Sequence, residues 1–360
     1  EYFDPIKDVH TARLPIAGCA WVDTSEGVVL IDTLTGNRAV REVFKKINGK
    51  IKYIIYTHGH IDHVGGSKYF VKDDPEIIAS KYLPERLDKY KMLAPHRAHI
   101  SSVQFNTPEL VIEQDVGYPT KTFLGDMTIS LGDKTFELHS VRAETDDAVW
   151  VNVPELKAVF IGDLIIAGLP NVGNPWKPTR FALSWVKALE AVRDVNPEYV
   201  FSNGAAFFYK GDKARKILDY NIEAIKSLHD QVIDYINQGF HITEMIHKVK
   251  LPDHLKDIPY LRPLYSRIEF FVFNVYRWYH GYFDDNPAHL LPKPEKEVLK
   301  EIYSIIGAPS KILNRVKELF DKNQAQLGLQ VLDVLIQADS ENVEARKMRI
   351  KLLEKIGKED

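Results

Sequence analysis

The sequence predicts an α/β layered sandwich followed by an all-helical second half. Three observations carry this. Short β-branched runs flank a helical stretch before residue 56, and a cluster of three histidines and a carboxylate closes one of those runs. From about residue 212 the apolar period lengthens to that of long amphipathic helices. The 360 residues suffice for two domains with their own cores, expected at 1–211 and 212–360.

Composition narrows the class further. Hydrophobic residues make up 45% and charged residues 27%, as in an ordinary globular protein. A net charge of −3, with no basic, aromatic-interleaved stripe, argues against a nucleic-acid partner, and none is expected. Cys19 is the single cysteine, so an internal disulfide is impossible and any metal must rest on nitrogen and oxygen ligands. No apolar run reaches the roughly 18 residues of a membrane span, because Asp163 interrupts the best stretch. No signal peptide is visible and the chain starts at Glu1, so a cytoplasmic or a periplasmic location is expected.

The elements follow in order. Residues 1–36 read as a meander, with strands at 20–23 and 27–32 joined by Thr24, Ser25 and Glu26. A helix is expected at 37–47 and a buried strand at 51–56. Residues 67–125 are polar and proline-bearing, which predicts short helices in an excursion over the site. Within it, Pro95-His96-Arg97-Ala98-His99 either faces an anionic substrate or forms a solvated helix face. Alternation up to Val141 marks a strand, Val149 begins the next, and 158–161 forms a third that runs into Gly162-Asp163. A helix at 181–193 and a strand at 198–201 lead to Ser202-Asn203-Gly204. In 213–238, Ile217, Ile222, Ile225, Leu228, Val232 and Ile236 fall near one helical face, and the aromatic stretch 261–282 reads as core or subunit interface.

The chemistry concentrates in Thr57-His58-Gly59-His60-Ile61-Asp62-His63-Val64-Gly65-Gly66. Imidazole and carboxylate are the usual zinc ligands, and a tight loop at a strand end can aim several at one point. Asp163 adds to this, since a carboxylate closing an apolar strand needs a partner, which bound cations would supply.

The H-x-H-x-D-H pattern resembles the signature of the metallo-β-lactamase superfamily, as do the preceding strand, Gly65-Gly66 and the Ile31-Asp32-Thr33 that ends the first hairpin. That resemblance implies an αββα sandwich with metals at one edge. It implies His58 and His60 on a first metal, Asp62 and His63 on a second, and Asp163 bridging the two. Glu144, in Arg142-Ala143-Glu144-Thr145, stands where most members carry a histidine, and is similar to the glutamate of the alkyl sulfatase branch. His139 is the rival ligand. Asn203 stands where a last histidine is expected, so the second of two zinc ions should bind weakly; another divalent metal is admissible.

Residues 276–292 resemble the alkyl sulfatase dimerisation segment, and 313–357 a single tetratricopeptide-like helix set, so a homodimer through the helical half is expected. No counterpart of the sterol-carrier-like domain that many such members add is expected within these 360 residues. The resemblance implies hydrolysis of an alkyl sulfate ester by a metal-activated hydroxide. Asp62 would act as ligand and catalytic orienter, and Arg97, Arg180 and Asn203 would contact a small anionic ester. The alternatives are another hydrolase on the same scaffold (lactonase, thioesterase or phosphoesterase) and a non-catalytic partner-binding relative.

Overall fold

The structure is a computed structural model that describes the chain except residues 16, 36, 71–72, 109–115, 167, 203–206 and 360, and the side chains of 37 and 359. The chain divides into two compact units, Glu1–Gly281 and Tyr282–Asp360.

Two sheets form the centre of the first unit. One has seven strands in sequence order: β1 (Tyr2–Ile6), β2 (Val9–Arg13), β3 (Gly18–Thr24), β4 (Gly27–Ile31), β5 (Ile51–Ile55), β6 (Glu76–Ser80) and β7 (Lys121–Phe123). β1 to β4 pair antiparallel through tight turns, and β4 to β7 pair parallel. The first parallel crossover runs through α1 (Asn37–Phe44). This helix stops three residues short of the expected 47, before Gly49, whose φ of 120° lies outside helical space.

The other sheet has the order β13 (Phe207–Lys210), β12 (Tyr199–Ser202), β11 (Ala158–Phe160), β10 (Ala148–Val153), β9 (Lys134–Val141) and β8 (Asp126–Leu131). All its pairs are antiparallel except β11–β12.

Strand alternation sorts the apolar side chains into layers. Ile31, Ile55, Val149, Val151 and Phe160 point between the sheets and build the central core. Their neighbours Leu30 and Ile54 point outward, against α1 and α3 (Leu83–Met92). Trp150 and Val159 point outward on the opposite side, against α5 (Ala182–Asp194), α6 (Asp212–Asn237) and α8 (Ile268–Tyr279). The result is the expected αββα sandwich. The short helices α2 (Ile61–Val64), α4 (Ala94–Phe105) and α7 (Ile242–Lys248) complete the unit.

The change of character at residue 212 is therefore not where contacts divide. α6 buries Ile217, Leu218, Ile225, Leu228 and Val232 in the same core as Trp185 and Leu189 of α5, so it belongs to the sandwich. The division falls at 281/282. On the aromatic α8, Phe271, Val272 and Val275 are buried as core, while Phe273, Trp278 and Tyr279 stay exposed.

The second unit is helical: α9 (Pro287–Leu290), α10 (Glu295–Ile306), α11 (Pro309–Asp321), α12 (Ala325–Ala338) and α13 (Val343–Glu359). Ile312, Val316, Leu332, Leu335 and Leu352 form its core. Gly328 lets the last helices close, because a Cβ there would lie 3.1 Å from Leu352.

Candidate metal centre

Four chain segments converge where strands end. β5 delivers His58 to His63, the β9–β10 turn delivers Glu144, β11 delivers Asp163, and β4 delivers Asp32. Two close backbone approaches make this possible. Gly162 has φ of 50°, and a Cβ there would lie 2.6 Å from Thr57 Oγ1; a Cβ on Gly66 would lie 2.0 Å from the Thr33 carbonyl oxygen.

His58, His60, Glu144 and Asp163 each offer one ligand atom, all within 4.8 Å of one another. His58 Nε2 and His60 Nδ1 are 2.8 Å apart, and Glu144 Oε2 lies 3.7 and 3.8 Å from them. Asp163 faces both ways: Oδ2 is 3.7 Å from His58 Nε2, and Oδ1 is 3.2 Å from His63 Nε2. Asp62 Oδ2 stands 3.6 Å from that same His63 nitrogen. The six residues thus form two adjoining donor sets that share Asp163.

The residues fit a divalent cation. Among the described residues Glu144 Oε2 is buried with no hydrogen-bond partner, and buried Asp163 Oδ1 and His63 Nε2 face only each other at 3.2 Å without a well-aligned hydrogen bond, an arrangement that is costly unless a cation occupies their focus. Burial and nearby positive groups hold His58 and His60 well below the usual histidine range, so both are neutral, as ligands must be. Burial opposes charge on His63, but Asp163, Asp32 and Asp62 outweigh it and raise its pKa. Burial pushes Glu144 up to about 8, with Arg180 opposing and Asp163 reinforcing.

A second layer fixes these groups. Asp32, buried and at φ of 59°, accepts from Thr57 N–H (2.8 Å), from Thr57 Oγ1 (2.7 Å) and binds His63 Nδ1 (2.7 Å). Asp147 accepts from Gly59 N–H at 2.8 Å, between the two histidines, and pairs with Arg86 Nε at 2.7 Å. The sequence reading did not single out Asp32, Arg86 or Asp147 as functional; the signals present were the Ile31-Asp32-Thr33 ending and the doubled acid Asp146-Asp147.

The other expected residues are placed as follows. Arg180 is buried and donates through Nη1 to Glu144 Oε1 and to the Asn171 carbonyl. Arg97 sits on α4 with its guanidinium 3.7 Å over the Tyr90 ring. His139 lies apart from the cluster, bonded to Asp126 at 2.8 Å and stacked on Trp150, which leaves Glu144 as the donor from this turn. Asn203 lies outside the described residues. A cavity of about 420 Å³ opens over the centre, with His60 and Glu144 in its wall beside Tyr90, Arg97, Lys177 and Arg180. No helix among the described residues is long and apolar enough to cross a membrane.

Fold and donor set define a metal-dependent hydrolase scaffold. The chain belongs to the metallo-beta-lactamase superfamily, which matches residues 17–204; an alkyl sulfatase dimerisation domain matches residues 241–360. Among curated relatives, it is 26% identical over 368 residues to a linear primary-alkylsulfatase of Pseudomonas sp. (strain ATCC 19151), covering 93% of this chain and 69% of that protein. It is 24% identical to the alkyl/aryl-sulfatase BDS1 of Saccharomyces cerevisiae, covering 99% of this chain and 60% of the relative. The same fold occurs in the stereoselective inverting sec-alkylsulfatase Pisa1 from Pseudomonas sp., with TM-score 0.88 and 22% identity over 99% of this chain and 62% of that one. The chain thus spans about three-fifths to two-thirds of the length of these relatives.

Proposed function

We propose that this chain hydrolyses alkyl sulfate esters with two divalent cations, zinc in the first instance, and acts as a homodimer through its helical part. The observation that carries the proposal is the convergence of His58, His60, Glu144 and Asp163 beneath a cavity walled by cationic side chains. His58, His60, Glu144 and Asp163 would hold the first cation, and Asp62, His63 and Asp163 the second. When bound, such cations acidify water and polarise the ester oxygens, so that hydroxide is available near neutrality.

The chain's own groups then set position and charge. Asp62, whose side chain keeps about a quarter of its surface exposed (25%), stands 3.6 Å from His63 Nε2 and would orient the attacking water. Arg180 fixes Glu144 on one side and presents a guanidinium to the ester's oxyanion on the other; planar, multi-donor geometry suits that group. Asp32 holds the His63 ring so that Nε2 points at Asp163 and Asp62. Fewer ligands for the second cation, with Asn203 at the expected histidine position, make it the weaker one.

The test is elemental analysis combined with turnover of alkyl sulfates, lactones, thioesters and phosphodiesters. Sulfate release with up to two zinc ions per chain is expected. Turnover of a lactone, thioester or phosphodiester in place of sulfate would overturn the substrate assignment, and a metal-free inactive chain would overturn the hydrolase reading.

A further inference from the structure

The cavity holds more positive charge than one sulfate ester can meet. Its two acidic wall residues, Glu144 and Asp146, are each bound to an arginine, Arg180 and Arg86. Arg97 and Lys177 have no carboxylate partner among the described residues. They come from different walls, Arg97 from α4 and Lys177 from the loop ahead of α5. These walls meet where the His99 ring stands edge-on to Trp176, with centroids 6.5 Å apart. Both cations are half-buried. Burial lowers the pKa of each; Arg180 and Arg97 lower Lys177 further, outweighing the opposing pull of Glu144 and Asp62, and for Arg97, Tyr90 opposes burial while Arg86 reinforces it.

Two desolvated like charges facing one cavity are unfavourable until counter-charge enters. A sulfate monoester carries a single negative charge, and Arg180 with the cation-binding floor already meets it. A plain alkyl chain would leave Arg97, held only over the Tyr90 ring, and Lys177 without a directly paired anion. Tyr90 is already covered by the Arg97 guanidinium, so Trp176 beside them offers the flat apolar surface for a spacer between two anionic ends.

We propose that the pocket takes substrates bearing a second anionic group, a carboxylate or another sulfate, away from the scissile ester, and that Arg97 and Lys177 hold it. The catalytic side of this proposal rests on the sulfate-ester reading; the binding side does not. The experiment uses the zinc-loaded full chain and ligands that cannot turn over. Calorimetry compares an alkanesulfonate with α,ω-alkanedisulfonates of increasing length. The best disulfonate should bind about tenfold tighter or more, as a hydrogen-bonded charge pair predicts, and the gap should narrow at high salt.

Lys177→Met and Arg97→Met should each shrink the disulfonate-to-monosulfonate affinity ratio, and the double variant should bring it near one. A ratio insulates the result from general loss of structure, which circular dichroism checks separately. Equal affinity of mono- and disulfonate for the unaltered protein would overturn the proposal, as would a ratio untouched by the double variant. A preserved ratio preference in a chain that hydrolyses no sulfate ester would instead remove the sulfate-ester reading and leave the second anion subsite standing.

Discussion

Asp147 is fully buried and does two things at once. One oxygen accepts from the Gly59 N–H at 2.8 Å, and the other pairs with Arg86 Nε at 2.7 Å, so the loop between His58 and His60 is tied to α3. Asp147→Ala leaves a buried N–H without an acceptor, at a cost of about 1–3 kcal/mol. It also removes one partner of an ion pair whose arginine side chain is only 12% exposed. Breaking such a pair costs about 3–5 kcal/mol, and Asp146, which still binds Arg86, returns part of it. The expected loss is about 3 kcal/mol in urea unfolding. Zinc affinity, read by chelator competition, should fall about 10–100-fold because the histidine loop is no longer held. Asp147→Asn keeps an oxygen for Gly59 and should lose less on both counts. An alanine variant within about 1 kcal/mol of the unaltered protein, with zinc affinity unchanged, would refute the reasoning.

Other perturbations test other links. Glu144→Gln should abolish full metal loading and activity while circular dichroism stays native; unchanged metal content would mean the turn supplies no ligand. Gly162→Ala should destabilise by about 2 kcal/mol or more, since a left-handed residue gains a Cβ pressed against Thr57; an unchanged urea midpoint would contradict the close approach. Zinc at about 100 times its Kd should add about 2.7 kcal/mol of stability, and EDTA should remove it, in thermal melts of the same sample. His10 bridges Asp4 at 2.6 Å and Asp23 at 2.9 Å. Burial lowers its pKa, but the two carboxylates outweigh this and raise it. Its contribution is therefore complete below about pH 6.5 and fades as pH climbs through the raised value. Trp21, stacked on His10 at 5.3 Å, should report the loosening by fluorescence, and His10→Gln should flatten the response.

Much of the fold was legible because local signals agree. The strand–helix–strand order and period-two burial give the sandwich, and the ligand-rich loop at the end of β5 gives the centre of the site. Asp163 was legible as an acid at a strand end, and Glu144 only through the resemblance, as the residue standing where most members carry a histidine. Arg86 was not, because its partner Asp146 lies 60 residues away and no periodicity links them. Asp32 escaped as a functional residue since its left-handed backbone and its hold on His63 appear only in three dimensions. The change of pattern at 212 does not coincide with the division of contacts for a physical reason: an amphipathic helix announces that it needs an apolar partner, not which one. α6 finds its partner in α5 and the outer face of the second sheet. Lys177 and Tyr90 were invisible as site residues for the same reason as Arg86.

The two oxygens of Asp163 serve neighbouring donor sets, with His58 on one side and His63 on the other. In the proposed two-cation centre, loading one set would orient and polarise the carboxylate that the other must use. Whatever factor the first ion imposes on the second, the second imposes equally on the first. Titration of the empty protein should consequently be cooperative, positively or negatively, rather than the sum of two independent isotherms.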